Sequence, residues 1–150
     1  RMKLGLMLHD PEEEHDCFSD NTHNSHYYNV VGINNVFLGK YKSLDGKVVS
    51  GPSISSLLSE VDNGLNKKTK KSIKNTLKSM KKIVKSANKG VTYDMLIAEG
   101  NEKGNKLIQN AVDSLIKQSK NIELTAAALN INDLQIEGSD SLDNPNAVFN

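Results

Sequence analysis

The sequence predicts an all-α fold, arranged as an up-and-down bundle of about four helices. Apolar residues recur in steps of three and four over long stretches, which is the spacing of one face of a helix. Aromatic residues make up only 5% of the chain and Trp is absent, so aliphatic side chains must build the core. Such a core suits packed helices better than a β-sandwich. Short turn-like segments separate the periodic stretches, so neighbouring helices are expected to run antiparallel.

Length and charge limit the classes of protein to which the chain can belong. Its 150 residues are enough for one domain, and we expect a helical bundle over residues 1–137 and an irregular tail over residues 138–150. The net charge of +1 gives no overall field that would attract nucleic acid or an anionic membrane. Cys17 is the only cysteine, so no disulfide can form within the chain.

The first third of the chain predicts two helical stretches with a polar passage between them. Residues 1–8 read as the last turns of a helix entered from upstream, so we expect the chain to be a fragment of a longer protein. Asp10 and Pro11 provide an N-cap and a first position for a new helix start. Residues 19–29 are polar and are expected to be irregular. Helical spacing of apolar residues begins at Val30.

The rest of the chain predicts two long helices. Residues 44–53 carry turn chemistry around a short extended piece, and Ser53 can cap the helix that follows. That helix loosens near Gly64 and ends near Gly90. A connector with its own apolar anchors then leads into a last helix over about residues 102–130. Those anchors are Tyr93, Met95, Leu96 and Ile97.

A lysine-rich stretch marks the first of these long helices. Ten lysines lie between Lys67 and Lys89, and no acidic residue falls between Asp62 and Asp94. One interpretation is a basic face for nucleic acid or anionic lipid. The other is a solvated helix face. No Arg or aromatic residue interrupts the lysines, as nucleic-acid surfaces usually require. We therefore expect the solvated face and no nucleic-acid partner.

The chemically dense part of the chain is residues 12–26. Three histidines and five carboxylates fall within these fifteen residues. On a helix, His15 would share a face with Ser19, and Asp20 would share a face with His23. Imidazole and carboxylate groups at such spacings can bind iron, zinc or copper. The alternative is a polar passage between helix and loop whose histidines are satisfied by hydrogen bonds.

Other chemistries are less well supported by the same residues. Cys17 beside His15 or His23 could form a thiolate–imidazole pair, but a lone cysteine is more often a small buried residue. Ser19, Asp20 and His23 contain the residue types of a catalytic triad, yet no nucleophile elbow is present. The sequence also lacks a His-Glu-x-x-His motif, a phosphate loop and a dinucleotide fingerprint.

The same segment carries a resemblance to a known family. The run EHDCFSDNTH over residues 14–23, with the spaced residues of the helix that follows, resembles the imelysin family, also described as iron-regulated or insulin-cleaving-protease-like proteins. Residues 51–57 and 126–131 extend the similarity weakly, so it covers most of the chain. The spaced residues are Asn29, Gly32, Ile33, Asn35, Val36, Leu38, Gly39 and Tyr41.

The resemblance implies an extracytoplasmic bacterial protein associated with iron uptake. It implies two related helical bundles, of which this chain resembles the second, and a location in the periplasm or on the outer surface, as a lipoprotein. The implied partners are the N-terminal half of the same protein, a metal ion or iron-containing ligand, and a membrane iron transporter. Iron is the expected metal, ahead of zinc.

The resemblance also bears on enzymatic activity. The family was first classed with metallopeptidases because of a Gly-x-His-x-x-Glu motif in its N-terminal half. His9 and Glu12 give His-x-x-Glu here, but Met7 replaces the Gly, and Pro11 separates the two residues. No catalytic residue is therefore assigned. We expect a binding protein, with a metal-dependent peptidase or a purely structural half-domain as alternatives.

The resemblance implies that polar residues of the run over residues 14–23 form part of one site. His26 lies outside this run and is a weaker candidate. The predicted metal ligands are Glu14, His15, Asp20 and His23, and the other polar site residues are Ser19, Asn21, Thr22 and His26.

Overall fold

The structure, a computed structural model, describes residues 2–131 and confirms the all-α class. The four longer helices form the body of the fold, and a two-stranded hairpin is the only sheet in this range. The predicted tail over residues 138–150 lies outside the described residues. The helices are α1 (Met2–Leu8), α2 (Thr22–Leu38), α3 (Ile54–Val61), α4 (Asn63–Ala87), α5 (Tyr93–Ile97) and α6 (Glu102–Ala128).

Helix α2 begins earlier than the sequence predicted. It starts at Thr22, inside the passage that was expected to be irregular. Apolar spacing could not reveal this start, because the core contacts of its first turns are made by Thr22 and the partly buried Tyr27. Aliphatic burial begins only at Val30.

The hairpin sits between α2 and α3 and joins them through a tight contact. Strands β1 (Lys40–Lys42) and β2 (Val48–Ser50) pair antiparallel, with Tyr41 opposite Val49. Gly39 ends α2 in the left-handed conformation, at φ 59°. The backbone after β2 passes so close that a Cβ at this position would lie 2.6 Å from the carbonyl oxygen of Pro52.

Side-chain caps set the boundaries of α3 and α4. As predicted, Ser53 caps α3, and its hydroxyl accepts a hydrogen bond from the Ser56 N–H at 2.9 Å. Asp62 ends α3 and at once caps α4, where its carboxylate accepts from the Leu65 N–H at 2.8 Å. One residue therefore turns the chain between two helices that the apolar pattern alone would join.

Two apolar clusters form the core, and a line of hydroxyl groups joins α4 to α6. The larger cluster gathers residues from α1, α2, α4, α5 and α6, and the smaller one is centred on Phe37, Leu58 and Ile73. Between α4 and α6, the Thr69 and Thr125 hydroxyls lie 3.3 Å apart. Further along, the Ser79 and Ser114 hydroxyls lie 3.1 Å apart, so the two helices run antiparallel. No helix within residues 2–131 is both long and apolar enough to cross a membrane.

Substitution of two glycines of the α2 region by alanine should change the free energy of unfolding in opposite directions. Gly39→Ala should lower the free energy of unfolding by about 2 kcal/mol or more, because it adds left-handed strain and a backbone clash. Gly32 lies within α2, and a Cβ added there would meet no neighbouring residue within 4 Å, so Gly32→Ala should raise stability by about 0.5–1 kcal/mol. Urea unfolding measures both. Equal effects at the two positions would contradict the packing described around Gly39.

Candidate functional site

The candidate site is built where the chain turns from α1 into α2. Two short 3₁₀ turns, Pro11–Glu13 and Cys17–Ser19, carry the dense segment, and the Asp10 carboxylate caps the first by accepting from the Glu12 N–H at 2.9 Å. His9 fixes the start of this passage, with its Nδ1 atom 2.8 Å from the Ile97 carbonyl oxygen at the end of α5. The dense segment is thereby held beside α5.

The helical pairs expected within the segment do not form. Residues 12–21 contain no α-helix, so His15 and Ser19 do not share a helical face. The Asp20 backbone is left-handed, at φ 49°, and separates the second 3₁₀ turn from α2. Within the dense segment, only the positions from Thr22 onward, such as Thr22 and His26, lie on one helix.

Buried and half-buried polar side chains lie where this segment meets α2 and α5. We call Glu14, His26 and Tyr93 the Glu14 cluster. Glu14 is only 6% exposed and Tyr93 only 1%, although both carry polar end groups. The His26 ring lies between two neighbours, with its centroid 5.5 Å from that of Tyr93 and 5.6 Å from that of His15. Tyr93 links the three side chains, because its ring lies beside His26 and the charge of Glu14 acts on its hydroxyl.

Each member of the Glu14 cluster has a buried polar atom without a hydrogen-bond partner among residues 2–131. These atoms are Glu14 Oε2, Tyr93 Oη and His26 Nε2. A buried polar atom left unpaired costs about 1–3 kcal/mol, and such atoms are uncommon in native structures. The neighbouring His23 has a buried, unpartnered Nδ1 atom as well. This concentration distinguishes the cluster from an ordinary polar surface.

Burial shifts the ionisation of all three members. It raises the pKa of the Glu14 carboxyl above its ordinary value, against a hydrogen bond from Thr22, and Asp94 and Asp20 add to the rise. It lowers the pKa of the His26 imidazole to about 4, with a further contribution from His15. It also raises the pKa of the Tyr93 phenol, to which the charge of Glu14 contributes. The imidazole and the phenol are therefore neutral at pH 7.

Other residues of the dense segment form hydrogen bonds with one another and with the first turn of α2. The Thr22 hydroxyl accepts from the Asp16 N–H at 2.9 Å, and the Asp16 carboxylate accepts from the Ser25 hydroxyl. Asn21 accepts from the Asn24 side-chain amide at 2.8 Å. Ser19 donates to the Asp16 carbonyl oxygen at 3.4 Å. Asn21, Thr22 and Ser19 thus have structural partners.

The four predicted metal ligands are not brought together as one set. Glu14 is buried, whereas His15 and Asp20 are exposed, and the His23 Nε2 atom lies 3.2 Å from the Asn24 amide nitrogen. Within residues 2–131, no three histidine, cysteine, aspartate or glutamate side chains form a group that could hold a metal ion. The ligand assignment remains a prediction.

The central position of His26 and the presence of Tyr93 in the Glu14 cluster were not predicted from the sequence. His26 was placed outside the family string, yet it lies centrally, between His15 and Tyr93. Tyr93 was interpreted only as an apolar anchor, because it lies among Met95, Leu96 and Ile97. A sequence pattern does not distinguish a core tyrosine with a paired hydroxyl from one whose hydroxyl is unpaired.

Comparison with protein families identifies the chain. The sequence model of the family described as Imelysin matches residues 1–122, which include the whole dense segment and the Glu14 cluster. The chain belongs to the imelysin family. No curated protein has significant sequence similarity to this imelysin chain. The matched range also includes all helices up to most of α6.

The lowered pKa of His26 predicts that the folded protein loses stability in acid. Its pKa is about 4 when folded and about 6.5 when unfolded, so the unfolded chain takes up the proton first as the pH falls. The free energy of unfolding should therefore decrease between pH 6.5 and pH 4, by about 3 kcal/mol from this residue. Glu14 acts with the opposite sign, because its raised pKa favours the folded state at low pH.

Comparison with His26→Gln isolates the histidine contribution. The variant should show a shallower decrease of unfolding free energy over the same pH range. Proton NMR of the His26 ring should give a titration midpoint near pH 4 in the folded protein. A midpoint close to that of a solvated histidine would contradict the burial described here.

Proposed function

We propose that this imelysin chain binds iron or an iron-containing ligand through the Glu14 cluster. The observation that carries the proposal is that three buried polar atoms, on a carboxylate, an imidazole and a phenol, have no partner among residues 2–131, and that Tyr93 links the other two residues through its ring contact with His26 and the effect of the Glu14 charge on its pKa. Buried groups of this kind require a partner, and a bound ligand would supply one. The cluster lies within the family match.

The chemistry of the cluster suits a metal cation. Carboxylate oxygen and imidazole nitrogen are both established donors to iron. Metal binding requires a neutral imidazole, and the lowered pKa of His26 keeps its ring neutral at pH 7. A cation beside Glu14 would favour the ionised carboxylate and offset the burial that raises its pKa. Iron is compatible with these donor types, and the unpartnered Tyr93 hydroxyl would be free to donate a hydrogen bond to the ligand.

Further donors would be needed to complete the site. His15, next to His26, and the predicted ligands Asp20 and His23 are the nearest candidates within the dense segment. Since this segment alone offers a partial set, we propose that the N-terminal half of the protein supplies further donors. The family resemblance supports an extracytoplasmic location and a membrane iron transporter as partner.

Substitution of Glu14 should separate binding from stability. In the full-length protein, Glu14→Gln should lower iron affinity at least tenfold, because a donor to the cation is lost. It should raise the melting temperature at pH 7.5, because burying a neutral amide costs less than burying a carboxylate. Isothermal titration with iron, together with thermal unfolding, measures both. Glu60→Gln, on the exposed side of α3, is the matched control and should change neither.

Tyr93→Phe provides a second, independent check. It removes an unpartnered hydroxyl and keeps the ring, so the iron-free protein should be as stable as the wild type or more stable. If both Glu14→Gln and Tyr93→Phe destabilise the protein while iron stoichiometry is retained, the cluster is structural. Peptide hydrolysis that chelators abolish and added metal restores would instead establish the peptidase alternative.

A further inference from the structure

A groove between α4 and α6 concentrates lysines from both helices. It has a volume of about 880 Å³ and is open along one side of the bundle. We call it the lysine groove. The lysine-rich stretch of α4 was expected to be a solvated face, but the structure adds basic residues from α6 opposite it. The lysines that line the groove are Lys68, Lys71, Lys78 and Lys82 from α4, and Lys117 and Lys120 from α6.

Part of the line of hydroxyl groups between α4 and α6 forms the base of this groove. Ser72, Ser79 and Ser114 line it, and short polar side chains at the α4–α6 contact leave room for the concave surface above them. On α4, the lining lysines span fourteen residue steps, from Lys68 to Lys82, which is about 21 Å along the helix axis. The groove is therefore elongated, with basic groups along its length.

The positive charge of the groove is not neutralised by the chain. Six lysines line it against one acidic residue, Asp113, whose carboxylate accepts from the Gln109 amide at 2.8 Å. Lys47 and Asp45 form the only ion pair within residues 2–131, so none of the six lysines has a carboxylate partner there. The whole chain carries a net charge of only +1, so the rest of it is net negative. An uneven distribution of this kind attracts anions to one surface.

The other lining residues indicate which anion fits. No aromatic residue and no Arg line the groove, so it lacks a stacking platform for bases and a bidentate clamp for single phosphates. Asn75, Asn110 and Asn121 add amide groups that can hydrogen-bond to sugar hydroxyls. The concave shape does not match a flat membrane surface. We propose that the lysine groove binds a linear acidic polysaccharide, an interaction beyond the iron site because no groove residue belongs to the Glu14 cluster.

Charge-removal variants of the full-length protein test the proposal. Lys71, Lys78, Lys82 and Lys117 are changed together to Gln, which keeps good helix propensity. The control changes the exposed Lys40, Lys42, Lys103 and Lys106 to Gln, removing the same charge elsewhere. Binding of a fluorescent heparin decasaccharide is followed by anisotropy over a range of salt concentrations, and thermal unfolding checks that both variants are folded.

The groove variant should bind at least tenfold more weakly than the wild type, and the control should stay within twofold. The slope of log affinity against log salt should fall by about 3 in the groove variant, at about 0.7 per lost contact with a flexible chain. Equal losses in the two variants would overturn the proposal. It would equally be overturned if a single-stranded oligonucleotide or phosphatidylglycerol vesicles bound as tightly as heparin and with the same dependence on the groove.

Discussion

The buried ring of Tyr93 connects the hydrophobic core to the candidate site. The ring belongs to the larger apolar cluster and is 1% exposed, while its hydroxyl is unpartnered and its pKa responds to Glu14. Helix α5 holds this residue, and the bond between His9 and the Ile97 carbonyl ties the end of α1 to the same helix. The position of the dense segment therefore depends on core packing as well as on its own turns.

Much of the fold could be predicted because helices with an aliphatic stripe are periodic. The Ser53 cap and the final helix from Glu102 both follow from local patterns and are confirmed. The start of α2 at Thr22 was missed, since its first core contacts use a hydroxyl and a phenol ring. The hydroxyl contacts between α4 and α6 were equally invisible, because Thr69 and Thr125 carry no apolar signal.

The location of the candidate site could be predicted from the sequence, but the set of residues that form it could not. Residue types and the family string pointed to the segment that holds Glu14, while helical spacing suggested pairs that the left-handed Asp20 prevents. Tyr93 contacts the His26 ring across 67 positions of sequence, and the charge of Glu14 acts on its hydroxyl across 79 positions. Such contacts depend on how α5 packs against α6 and the first 3₁₀ turn, which no local pattern encodes.

The central claim is that a bound iron or iron-containing ligand completes the buried polar atoms of the Glu14 cluster. The most direct measurement is anomalous diffraction at the iron absorption edge, from crystals of the full-length protein grown with iron. We expect an anomalous peak within coordinating distance of Glu14 Oε2, of His26 Nε2 or of both. A map without such a peak, in which both atoms are hydrogen-bonded to side chains of the protein itself, would contradict it.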